Sequence, residues 1–146
     1  MISYNDIKDA VTLMVSSNFE NGNIYSEETQ LGFNLPAFFI ELIPLTSVIE
    51  AASIYKAIGI DIQYISDVSN FKREEILSIC DKLEQLFNKH LQVEDRFLKI
   101  EQFGYEIVDK VLHFQIFVDY FDDIGTETSE SVPANSVEIN LKGGIN

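Results

Sequence analysis

Apolar and polar positions along the chain fall into two rhythms. Ile7, Ala10, Val11 and Met14 recur at gaps of three, one and three, which predicts a helix over residues 6–17. Asn5 or Asp6 stands ready to cap it, and Asn21-Gly22 marks a turn after it. Ile76, Ile79, Cys80, Leu83, Leu86 and Phe87 repeat at gaps of 3, 1, 3, 3 and 1, the cleanest helical pattern in the chain. Ser69 or Asn70 would cap this second helix.

Elsewhere the period is two. Asn23–Ser26 reads as a short strand, and Ala37–Ile43 as a dense apolar strand held between Pro36 and Pro44. From Ile54 to Ile65 one parity carries Ile54, Lys56, Ile58, Ile60, Ile62 and Tyr64, which predicts a long strand with Gly59 as a bulge. Val48–Ala52 fits either its hairpin partner or a short helix. Arg96–Phe103 and Tyr105–Val108 read as two further strands, and Asp109-Lys110 as a two-residue hairpin turn. Val111–Phe121 alternates longest, with Leu112, Phe114, Ile116, Val118 and Tyr120 on one face. The opposite face is mixed, with Phe121 at its end: Val111, His113, Gln115, Phe117 and Asp119 are its candidate subunit or partner contacts, together with Val137, Ile139 and Leu141 further on. The order helix, strands, helix, strands predicts an α+β fold, two helices packed on a mainly antiparallel or mixed sheet.

Composition shifts at Asp122, from which the chain is polar to Ser136. The expected division is a domain over residues 1–121, then a polar linker and an extended C-terminal arm over 122–146. In the arm, Val137, Ile139 and Leu141 alternate with Glu138 and Asn140. Such a strand could pair with a neighbouring subunit or with another protein. A strand folded back on its own sheet and a disordered tail are the open alternatives.

Charge narrows the functions. Twenty-four acidic residues against ten basic ones give a net charge of −14, which disfavours tight binding to nucleic acid or to anionic lipid. Eleven Phe and six Tyr are too much aromatic mass for a disordered acidic chain. Cys80 is the single cysteine, so no internal disulfide and no multi-thiolate zinc site is expected. No basic segment followed by an apolar run opens the chain, and no apolar run approaches membrane-spanning length. The expectation is a protein made in the cytoplasm, with no membrane contact.

Catalytic chemistry finds no foothold in the sequence. His90 falls near the expected end of the second helix, where a cation suits the dipole. His113 stands in a strand without a His, Cys or carboxylate at ligand spacing. Cys80 lies on an apolar face, the setting of an inert thiol. The acidic pairs Glu27-Glu28, Glu74-Glu75 and Asp122-Asp123 read as solvated surface, the first and last in loops. With no phosphate-binding glycine motif and no nucleophile elbow, the chain is expected to be no enzyme and to hold no cofactor or metal.

Three segments carry a resemblance. Ile24-Tyr25-Ser26-Glu27-Glu28 with Gly32-Phe33 and then Pro36-Ala37-Phe38-Phe39-Ile40, the aromatic-ended strand Ile60–Tyr64, and the hairpin Tyr105–Phe114 running on to Val118-Asp119-Tyr120-Phe121 resemble tail terminator proteins from phages and prophages of Gram-positive bacteria. The resemblance spans about residues 5–121. Lys110 stands where the family tends to have Gly, and Ala37 where it has Cys. It implies a virion protein, made in the bacterial host cytoplasm, that forms a ring of six on the head-proximal end of the tail tube. Its implied partners are its own copies, the tail tube protein, the sheath protein of a contractile tail and a neck or connector protein. DNA, where the particle carries it, would pass through an acidic bore without specific binding. Another neck or tail-completion component, or an acidic module mimicking nucleic acid, are the competing expectations.

Overall fold

The computed structural model describes residues 1–19, 23–25, 34–67, 72–88 and 90–123. Their elements run α1 (Tyr4–Asn18), β1 (Asn23–Tyr25), β2 (Ala37–Glu50), β3 (Ser53–Ile65), α2 (Arg73–Leu86), β4 (His90–Val93), β5 (Arg96–Val108) and β6 (Val111–Asp123). The strands form one six-stranded sheet of order β1-β2-β3-β6-β5-β4. All neighbours are antiparallel except β1 and β2. This is the expected α+β class with a mixed sheet; the C-terminal arm lies outside the described residues.

The core is one apolar cluster joining both helices to one face of the sheet. α1 contributes Ile7, Val11 and Val15, and α2 contributes Ile76, Cys80 and Leu83, all buried and all at helical spacing. The sheet answers with Phe38 and Ile40 of β2, Ile58, Ile60, Ile62 and Tyr64 of β3, and Leu112, Phe114, Ile116, Val118 and Tyr120 of β6. Register makes these continuous rows: Ile60 opposes Ile116, and Ile62 opposes Phe114.

Several local expectations are corrected. α1 is capped by Ser3, not by Asn5 or Asp6: Ser3 Oγ accepts from the Asp6 N–H at 3.0 Å, and the Asp6 carboxylate accepts from the Ser3 N–H at 3.2 Å. α2 begins at Arg73, three residues beyond the later of its two expected caps, which lie outside the described residues. His90 is not at a helix end; it opens β4, where Leu91 and Val93 alternate into the core. β2 does not stop at Pro44 but runs to Glu50, and β3 has no bulge at Gly59. The irregularity sits opposite, at Leu45 of β2, and a second lies between Ile100 and Gln102 of β5. Each switches the side of the sheet to which a given parity points, so each makes one long strand look like two in sequence. Asp109 and Lys110 carry φ of 51° and 66°, the positive values of a type I′ hairpin.

The strand expected to end at Phe121 continues through Asp122. That carboxylate is buried rather than solvated: Arg96 Nη1 donates to its Oδ1 at 2.8 Å, and the Ile2 N–H donates to its Oδ2 at 3.0 Å. Arg96 Nη2 also donates to the Phe121 carbonyl at 2.7 Å. One acid thus ties the N-terminal segment and β5 to the end of β6.

Two core phenols give the fold an alkaline limit. Burial, together with donation to the Glu75 carboxylate, raises the Tyr64 phenol far above its ordinary value. Burial first, and then nearby negative charge, pushes Tyr120 up to about 12. The fold therefore favours the neutral phenols, and their stabilisation is complete below about pH 10, where unfolded tyrosine titrates. It is lost as pH rises from there through the folded values. Melting temperature is expected to fall from about pH 10 upward, and Tyr64→Phe with Tyr120→Phe to blunt that fall. Melts of both chains across this range would check it, and equal losses would refute the assignment.

Candidate assembly interface

With the helices on one side, the sheet's other face carries the alternate residues of every strand. Val111, His113, Gln115, Phe117 and Asp119 of β6 all lie there, half-buried, as the alternation predicts. Val137, Ile139 and Leu141 lie outside the described residues.

The face divides into a polar half and an apolar half. In the polar half, His113 Nδ1 lies 3.1 Å from Asp61 Oδ2, and Gln63 Nε2 donates to that same oxygen at 3.1 Å. The sequence leaves His113 without a carboxylate neighbour; strand pairing brings Asp61 from β3, 52 residues away. Asp61 is buried and holds the imidazole in place, while Glu106 of β5 lies directly across from His113. Among the described residues no three His, Cys, Asp or Glu side chains are grouped to hold a metal ion. Cys80 is buried on the far side of the sheet, and burial raises its thiol above the ordinary value, followed by the charges of Asp81 and Glu84.

The apolar half centres on Phe117. Its ring spreads over two glycines on the flanking strands: a Cβ on Gly59 would stand 3.7 Å from it, and one on Gly104 3.4 Å. Neither glycine adopts a positive φ; their value here is the space they leave for the ring. Leu45 closes the other side, 3.8 Å from the same Gly59 position. Beyond lies a row across three strands, Val48 opposite Tyr55 and Tyr55 opposite Phe121. The Tyr55 and Phe121 rings sit 5.4 Å apart. The Tyr55 hydroxyl donates to Asp119 Oδ2 at 2.9 Å, a bond that raises the phenol's pKa. Ile43, Leu45, Val48 and Phe121 are 40–53% exposed, so this half presents a contiguous apolar surface to solvent. Such patches mark protein interfaces more often than scattered apolar side chains do.

Ile43, Leu45, Val48, Tyr55 and Phe121 are not among the expected contacts, although Phe121 ends the expected outer face of β6. The signal lay in the alternation of Val48 with Ser47 and of Tyr55 with Lys56, obscured because Pro44 reads as a strand end and the Leu45 bulge reverses parity.

Residues 6–130 match the family described as phage tail terminator protein. The chain belongs to that family. Among curated proteins, none is similar enough in sequence to match it. Family membership makes this terminator a phage tail component that works among other tail proteins. No helix among its described residues is long and apolar enough to cross a membrane.

Proposed function

We propose that this terminator assembles as a ring of six on the head-proximal end of a phage or phage-like tail tube, in a particle of a Gram-positive host. There it stops tube growth and joins the tube to the neck or connector, with a sheath protein as a further neighbour where the tail contracts. It does this by contact alone, without catalysis, cofactor or metal. The observation that carries the reading is the apolar half of the outer sheet face, where Ile43, Leu45, Val48 and Phe121 stand exposed around the half-buried Phe117, in a chain of this family. A subunit of a closed ring needs such a surface for its neighbours, whereas a free monomer gains nothing from leaving it wet. The acid excess of −14 fits a bore that DNA crosses without adhering, because like charge repels phosphate.

Electron microscopy of particles made with the gene intact and deleted tests this. The deletion is expected to yield overlong or headless tubes of irregular length. Tubes of normal length and complete particles would refute the terminator role, and an acidic module mimicking nucleic acid would replace it.

A further inference from the structure

We propose that the free half of β5, residues 103–107, together with the groove beside α2, docks an extended segment of another protein in which apolar residues alternate with lysine or arginine. This surface lies on the helix side of the sheet, away from the outer face, and its role does not rest on the ring.

The edge follows from register. β4 pairs with β5 only over residues 96–99, and among the described residues no strand continues along that side of β5. On its other side β5 pairs with β6 down to Val108 opposite Val111, the pair that closes the two-residue turn. In such a hairpin the closing pair exchanges both backbone hydrogen bonds, and bonded and non-bonded pairs then alternate. Glu106 and Gly104 therefore turn their N–H and C=O groups to β6, while Phe103, Tyr105 and Ile107 turn theirs outward. Sheets commonly blunt an open edge with lysine, proline or a bulge. The bulge of β5 lies before Gln102, and residues 102–108 hold one charge, Glu106, and no proline.

The groove adds the side-chain half of the site. Phe103, Tyr105 and Ile107 oppose the buried Ile116, Phe114 and Leu112, so their side chains share the helix side of the sheet. There a groove of about 720 Å³ runs between α2 and this stretch of β5. Binding clefts have volumes of roughly 300–1,000 Å³. Leu77 of α2 and Tyr105 of β5 line it and stand 53% and 46% exposed, so the chain leaves this lining open to solvent. A strand added to β5 would bond to the outward N–H and C=O groups and lay every second side chain along the groove.

Charge selects the occupant. Among the described residues that line the groove, Asp81, Glu84 and Glu106 outnumber Arg73. Lysine or arginine between the apolar residues of the added strand meets these acids. A second copy of a chain at −14 would on balance bring like charge to them.

The test titrates the full-length, isotope-labelled chain with a blocked seven-residue peptide of alternating lysine and valine. A peptide of the same composition, with its lysines grouped at one end, is the control. The alternating peptide is expected to bind at least about tenfold more tightly, the worth of one well-buried valine. It should also slow amide exchange at Phe103, Tyr105 and Ile107. Leu77→Ser, at an exposed position, is expected to keep the parent melting temperature and lose the preference. Equal affinity for the two peptides, or none for either, overturns the proposal, as does protection centred elsewhere. Amides already slow at these positions without peptide would show the edge occupied by the chain itself. Slowing that grows with protein concentration would show a second copy there, and either result overturns the basic segment as occupant. Selective binding alongside normal tubes in the gene deletion keeps this surface and removes the terminator role.

Discussion

Phe114→Ala is expected to cost the domain about 3–5 kcal/mol, the range for emptying an aromatic site in a packed core. Phe114 is fully buried at the centre of β6, opposite Ile62, with the rings of Phe103 and Tyr105 centred 5.1 and 5.3 Å away. Both neighbours come from β5, so the ring joins the half of the sheet that carries β4 to the half that carries β2. Removing it leaves a cavity that β-sheet backbone cannot close, because strand spacing is fixed by hydrogen bonding. Against a total of about 5–15 kcal/mol for a domain, that loss is large, and melting should fall by roughly 10–20 °C. Phe121→Ala on the same strand removes a ring that is 53% exposed and should cost less than about 1 kcal/mol. Calorimetry of both variants checks the contrast. Equal costs would mean that the helix-covered face is not the core.

How much of this could be read from residues alone depends on parity. The two helices, the long strand β6 and the hairpin turn were legible because each keeps one period without interruption, and because Asp109-Lys110 sits between two alternating runs. β2 and β5 were not, since one extra residue at Leu45 and another near Glu101 reverse the facing of everything after it. Pro44 compounded the error: a proline reads as a strand end, yet on an edge strand its missing N–H faces no partner. Position along the chain also misled. His90 looked like a helix terminus because α2 and β4 are separated by only three residues, and Asp122 looked like linker because the polar run begins there. Burial of Asp122 depends on Arg96 and on the Ile2 N–H, partners 26 and 120 residues distant, which no local pattern reveals. The candidate interface was half legible for the same reason. The outer face of β6 follows from alternation within one strand, whereas Ile43, Leu45, Val48 and Tyr55 join it only through register between strands.

That register sets the second large effect. Ile43→Asp together with Phe121→Asp is expected to abolish self-assembly while leaving the subunit folded. Both side chains are exposed in the single chain, 40% and 53%, so the new carboxylates stay hydrated before association and cost the fold little. Once the apolar face is covered by a neighbour, each carboxylate must lose water without gaining a partner, in a subunit already at −14. An unpaired charge in such a contact costs several kcal/mol, and each 1.4 kcal/mol is tenfold in affinity, so association should weaken at least about a hundredfold. A ring multiplies the penalty, because every interface in it repeats the same substitution. Light scattering and native mass spectrometry of the variant, beside a melting curve, separate the two demands. A folded monomer whose melting temperature stays near that of the parent is the expected result, and in particles it should leave tube length uncontrolled. A variant that still closes into the parent ring would show that subunits meet elsewhere, and the apolar half of the sheet would then belong to the tube or the neck.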